Sequence, residues 1–174
     1  MINLAGIIHD DGANGPGLRC TVFVQGCKRH CKGCHSEHTW TFGTGVDILS
    51  EELANEILQD PIETGVTISG GDPVYQYNDL LDTLIYIKQK VTEANREYDY
   101  MLFTGADLNE LIHKCHTQER FKLFLSMFNY IKVGRFEQDK TPSTVKWAGS
   151  SNQKIYTPVV TDNDIEFIDV TNKI

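Results

Sequence analysis

Three cysteines fall inside one short segment, GCKRHCKGCH, at the spacing C-x3-C-x2-C (Cys27, Cys31 and Cys34). The preceding run, Leu18 to Val24 (LRCTVFV), is strand-like, so the loop hangs from that strand's C-terminal end. Three thiolates are one fewer than a closed tetrahedral zinc site or a complete four-iron cluster uses. A cubane held by three thiolates keeps one iron without a protein ligand, and such an iron can bind and reduce a small molecule.

The same loop allows zinc, with His30, His35 or His38 as a fourth ligand. Structural zinc loops, however, usually join one pair of ligands to a second, distant pair, and catalytic zinc rarely uses three thiolates. The crowding of all the thiols into one loop therefore favours iron–sulfur over zinc, and both stay open at this point. Five cysteines is an odd number, which rules out complete intramolecular pairing. Cys20, in the strand-like run, and Cys115, in a helix-like one, read as buried apolar residues, because free cysteine packs like a small hydrophobe.

The rest of the chain alternates. After the turn signal Asn14-Gly15-Pro16-Gly17, strand-like runs are Leu18 to Val24, Gly65 to Ser69, Tyr100 to Phe103, Tyr130 to Val133 and Lys154 to Val160. Pro158 argues for an edge position in the last of these. Helical spacing appears after Ser50, a plausible N-cap, and over roughly Asn78 to Ala94. Leu108, Leu111 and Ile112 mark a further helix, and Phe121, Leu125 and Phe128 another. Strands alternating with helices predict parallel βαβ units, an α/β fold in one domain spanning 1–174. In such folds chemistry gathers at the C-terminal ends of strands. Two of those ends carry unusual motifs: the cysteine loop and Gly70-Gly71-Asp72-Pro73. At 174 residues the chain is short of the ~250 of a complete eight-unit barrel, so a partial, open parallel β/α barrel is expected. The polar, turn-rich stretch Gly134 to Gln153 has the length of a lid or binding loop.

Charge narrows the function classes. A net charge of -8 disfavours unspecific nucleic-acid binding, which needs a basic surface. No run is apolar enough to span a bilayer, and the N-terminus has no secretory pattern; the expected compartment is the reducing cytoplasm. Lys28, Arg29, His30 and Lys32 all lie within the cysteine loop. They are either a solvated offset to the thiolates or a docking patch for an acidic electron donor.

Alone, GGDP is no more than a tight turn with Pro73 opening the next helix. One βα unit beyond a C-x3-C-x2-C loop it is specific, and the pair resembles the radical S-adenosylmethionine superfamily. NGPGLRCTVFVQGCKRHCKGCHSEHTW is similar to the N-terminal block of glycyl-radical-enzyme activases, and TISGGDP with WAGSSNQ (Trp147 to Gln153) to the branch acting on anaerobic ribonucleoside-triphosphate reductase. The resemblance spans about residues 14 to 153.

That resemblance implies a 4Fe-4S cluster on Cys27, Cys31 and Cys34, with S-adenosylmethionine chelating the open iron. It places Gly33, Cys34 and His35 near the adenine end of that cosubstrate, and Gly70, Gly71 and Asp72 near its amino group. It also implies the large reductase subunit as partner and a flavodoxin-type reductant. Another glycyl radical enzyme or a small molecule is the alternative substrate, and a zinc-stapled binding module is the non-enzymatic alternative. No histidine is assigned a catalytic role, because the cofactor carries the hard step. Ala148 stands where the tail motif often has arginine, at a position that bears on partner choice. Trp40 is read as packing, with shielding of the cluster as its functional version. His113 and His116 are read as surface residues.

Overall fold

The computed structural model describes residues 1–162 and 164–174. One eight-stranded sheet runs through them. In chain order its strands are β1 (Ile2–Asp11), β2 (Arg19–Val24), β3 (Val46–Ile48), β4 (Gly65–Gly70), β5 (Asp99–Phe103), β6 (Tyr130–Val133), β7 (Lys154–Val160) and β8 (Ile165–Asp169). The helices are α1 (Ser50–Ile57), α2 (Tyr77–Glu93), α3 (Leu108–Thr117) and α4 (Glu119–Ser126).

The sheet order is β3-β1-β2-β4-β5-β6-β7-β8. Its centre, β2-β4-β5-β6, is parallel, and the margins on both sides are antiparallel. The expected βαβ core is present, but the all-parallel sheet is not. For β1–β2 and β7–β8 the cause is connection length, whereas the long β6–β7 connection (134–153) holds no α-helix among the described residues to carry a parallel crossover. β1 reaches β2, and β7 reaches β8, through segments too short for a helical crossover, and such neighbours pair antiparallel.

The parallel strands read as near-continuous apolar runs because both of their faces are covered. Cys20, Val22 and Val24 of β2, Val66 and Ile68 of β4, Leu102 of β5 and Ile131 of β6 share one core with buried residues of all four helices. In α2 these are Leu80, Leu81, Leu84, Ile87 and Val91, spaced three or four apart so that they form one stripe. The helices thus lie on one face. The alternate positions, including Met101 and Phe103, face the other side and pack with Ile155. Arg19, also on this side and fully buried, donates to Thr67 Oγ1 at 3.0 Å and pairs with Asp99.

Two local expectations change. Ser50 is the first helical residue rather than the cap; its hydroxyl donates to the Asp79 carbonyl, and Glu52 accepts from the Leu49 N–H. Pro158 is not on an edge strand, since β8 pairs along β7 opposite it. It is tolerated because the β6–β7 ladder stops at Tyr156, so no N–H is required of residue 158 on that side. No helix among the described residues is long and apolar enough to cross a membrane.

Candidate metal centre

The cysteine loop leaves β2 at Val24 and is pinned at once. Gln25 N–H donates to the Asn3 carbonyl at 2.8 Å, Gly26 N–H to Thr39 at 2.7 Å and Cys27 N–H to Trp40 at 3.0 Å. The Gln25 amide, buried, donates to the carbonyls of His38 and Thr41 and to Thr44 Oγ1. The loop returns on itself where Cys34 N–H meets the Cys31 carbonyl at 3.1 Å. His30 (φ 46°) and Gly33 (φ 72°) take the left-handed turns this requires, and the Gln138 side chain fills the place of a Cβ on Gly33.

All three cysteines line one cavity of about 410 Å³ at the C-terminal ends of the parallel strands. Cys27 is buried; Cys31 and Cys34 are half-buried. Backbone N–H groups point at two of the sulfurs, Arg29 at Cys27 Sγ and Ser36 at Cys34 Sγ, each at 3.4 Å. Burial pushes the Cys27 thiol up, against the pull of the Arg29 amide. Around one zinc ion, thiolates stand about 3.8 Å apart. Among the described residues the loop sulfurs do not form a group of three donors within 4.8 Å of one another. The donor set is therefore three soft thiols spread wider than a single tetrahedral ion gathers them, beside open space, and it fits a cluster.

GGDP meets this loop directly. Gly71 N–H donates to the Val24 carbonyl at 2.7 Å and Asp72 N–H to the Gly26 carbonyl at 3.0 Å. A Cβ on Gly71 would lie 2.3 Å from the Gly26 carbonyl oxygen, and one on Gly70, which sits at φ +103°, would lie 2.3 Å from Val24 N. These glycines are required by a backbone crossing, and both also line the cavity. Gly71→Ala is expected to push the start of the cysteine loop aside and to lower iron per chain after reconstitution, measurable by metal analysis at unchanged protein concentration.

Of the residues expected around the cosubstrate, Cys34, His35, Gly70 and Gly71 line the cavity, whereas Gly33 and Asp72 do not. Asp72 is 1% exposed and turns inward. Its carboxylate accepts from Arg29 Nε at 2.6 Å and from Thr104 Oγ1 at 2.7 Å, and it caps the 3₁₀ turn that Pro73 opens. Arg29 reaches on to Glu110 with two parallel bonds of 2.8 and 2.9 Å, and holds that carboxyl below its usual range. One guanidinium thus ties the cysteine loop, the end of β4 and the first turn of α3. Arg29 is accordingly withdrawn from the basic surface patch, while Lys28, His30 and Lys32 remain exposed.

Other walls come from residues the motifs do not include. Phe23, Ser69, Phe103 and Lys132 project from the ends of β2, β4, β5 and β6. Lys132 donates to the Trp147 carbonyl at 2.9 Å, and its ammonium lies 3.5 Å from the centre of the Phe103 ring. Burial lowers its pKa to about 7. The stretch from Gly134 to Gln153 covers the cavity with Phe136, Trp147, Ala148 and Gly149. Gln153 holds it down, accepting from Gly149 and Ser150 N–H and donating to the Gly134 carbonyl. Ala148 therefore faces the cavity. Trp40 is half-buried, stacks on His30 at 4.6 Å and forms part of the cavity wall. His113 and His116 are exposed, and Cys115 is buried in the core.

Residues 13–156 match the 4Fe-4S single cluster domain. The chain is 36% identical over 153 residues to the anaerobic ribonucleoside-triphosphate reductase-activating protein of Haemophilus influenzae, covering 84% of this chain and 92% of that one. The chain belongs to this family of activating proteins. The family member from Pasteurella multocida is 38% identical over 154 residues, with 84% and 91% covered. That from Enterobacteria phage T4 is 30% identical over 154 residues, with 84% and 88% covered.

Proposed function

We propose that this chain is a radical S-adenosylmethionine enzyme that installs the glycyl radical of an anaerobic ribonucleoside-triphosphate reductase. The observation that carries the reading is the cavity at the strand ends: three cysteines on one wall and the half-buried Lys132 ammonium on the opposite elements. Cys27, Cys31 and Cys34 would hold a 4Fe-4S cluster. Such a cluster would supply one electron for the reductive cleavage of S-adenosylmethionine to methionine and a 5'-deoxyadenosyl radical, the species that would take hydrogen from a glycine of the reductase.

What the chain itself does is hold, orient and exclude water. Arg29 fixes the cysteine loop against GGDP through Asp72 and Glu110. Lys132 places a positive charge where a carboxylate of the cosubstrate can pair with it, and the phenyl ring beneath keeps that charge out of water. Gly70 and Gly71 line the cavity at the end of β4, where their carbonyls would accept from the cosubstrate's ammonium group. Phe136, Trp147 and Trp40 wall the cavity and limit quenching of a reactive radical. Exposed Lys28, His30 and Lys32 beside the loop suit an acidic flavodoxin-type donor. The reading includes the fold, a partial β/α barrel; it is supported by the parallel β2, β4, β5 and β6 and by the four described α-helices packing on one face. It also includes a reducing cytoplasm as the place of work, in keeping with five free cysteines.

The test is anaerobic reconstitution with iron and sulfide, then reduction with S-adenosylmethionine and the reductase. 5'-Deoxyadenosine together with a glycine-centred spin signal on the reductase is expected; neither appearing would overturn the assignment. Lys132 gives a second, graded test. Its ammonium titrates near 7, so in the free enzyme the cation is present below that pH and lost above it. Affinity for S-adenosylmethionine should fall as pH rises through 7 and beyond. Lys132→Met should bind roughly tenfold more weakly at low pH and lose the pH dependence, as measured by equilibrium dialysis.

A further inference from the structure

At the opposite end of β2 from the cysteine loop, three metal-binding side chains converge that the proposed reaction does not use. The donor atoms of His9 (β1), Cys20 (β2) and Glu63 (the α1–β4 connection) all lie within 4.8 Å of one another. His9 Nδ1 is 3.2 and 3.3 Å from the two Glu63 oxygens. A nitrogen and an oxygen on one tetrahedral zinc ion stand about 3.3 Å apart.

Several independent features make this more than a chance meeting. The β1–β2 register slips between Ile8 and Asp11, with Asp10 at φ 55°, and such bulges re-aim a side chain. The bulge also turns the Asp10 N–H onto Glu63 Oε1 at 2.9 Å. The Glu63 side chain is 0% exposed, yet among the described residues its carboxylate pairs only with histidine. Arg96, which contacts this connection, donates to the carbonyls of Pro61 and Glu63 and not to the carboxylate. Burial and the nearby carboxyls of Glu63, Glu56 and Asp11 all push the Cys20 thiol up, so the locale is acidic. The Tyr98 hydroxyl, buried without a hydrogen-bond partner, feels both Cys20 and Glu63.

We propose that His9, Cys20 and Glu63 form a second metal site that takes a divalent, borderline-soft transition metal, zinc before others. Mixed nitrogen, sulfur and oxygen donors suit that class, and three protein ligands leave a fourth position for water. Binding displaces the thiol proton of Cys20 to solvent and moves the ring proton of His9 from Nδ1 to Nε2, so that thiolate and carboxylate balance the dication and the imidazole stays neutral. Gln59, whose side-chain amide lies 2.8 Å from His9 Nε2 and also reaches Glu56, is placed to orient the ring from behind, turning its amide oxygen to the ring once Nε2 carries the proton. The ion would staple β1, β2 and the α1–β4 connection at the end of the sheet remote from the cavity.

The test uses the full chain with its iron loaded anaerobically. It is mixed with one equivalent of zinc, desalted and analysed for both metals. Wild type should retain one zinc per chain beside its iron, and the zinc X-ray absorption edge should show a single sulfur at about 2.3 Å. His9→Ala and Cys20→Ala should each keep their iron, which reports a folded protein, and lose at least about tenfold in retained zinc. If Cys20→Ala does not fold, His9→Ala decides alone, since that ring is partly exposed. Wild type without zinc, variants that keep it, or a spectrum with three sulfurs (zinc in the cysteine loop) would each overturn the proposal.

Discussion

Alanine in place of any one of Cys27, Cys31 or Cys34 is expected to abolish cluster assembly and, with it, all cleavage of S-adenosylmethionine. Each thiol supplies one corner of the same centre, and the loop offers no spare. The other two cysteines cannot substitute, because Cys20 and Cys115 lie in the helix-side core, away from the cavity. The contrast is part of the prediction: Cys20→Ala and Cys115→Ala should retain nearly all of their iron. Iron, sulfide and 5'-deoxyadenosine measured on the five single variants check it, and full turnover by any of the first three would refute the ligand assignment.

Arg29→Ala has the second largest expected effect. The guanidinium is the ion-pair partner of Asp72, whose side chain is 1% exposed, and it also pairs with Glu110. Removing it leaves a buried carboxylate held only by Thr104 and a backbone amide. Breaking a buried pair from one side costs about 3–5 kcal/mol, which for a domain of this size is a fall in melting temperature on the order of 10 °C. The same change frees the cysteine loop from the end of β4, so iron incorporation should drop with stability. Arg29→Lys restores one bond but not the two-pronged grip on Glu110, and should fall between. Thermal melts and iron analysis of both variants test this; an Arg29→Ala protein that melts like wild type would show that the bracket carries no weight.

The candidate site was legible because its two motifs are written in local spacing. C-x3-C-x2-C and GGDP each lie within a few residues, and the strand-end rule places them together before any coordinates are known. The four parallel strands were equally readable, since double-sided burial makes them short apolar runs. β1 was missed because bulges break its alternation, and β3 because three residues carry too little pattern. Lys132 and Phe103 were missed for a different reason. Their signal is shared parity at the ends of neighbouring strands, which exists only once the register is known. Asp72 shows another limit of spacing: the motif names the residue but not that its carboxylate pairs with Arg29, forty-three positions away. The nearness of His9 and Glu63 to Cys20 is likewise set by a bulge and a chain crossing, neither of which spacing reveals.

The proposed reaction requires that three sulfurs leave one corner of the centre free for the cosubstrate. The most direct measurement is electron paramagnetic resonance of the reduced, iron-loaded protein, titrated with S-adenosylmethionine. A saturable change in the cluster signal, complete near one equivalent per chain, is the predicted result. A signal unmoved by excess S-adenosylmethionine would mean that the corner is already closed by a fourth side chain, and would contradict it.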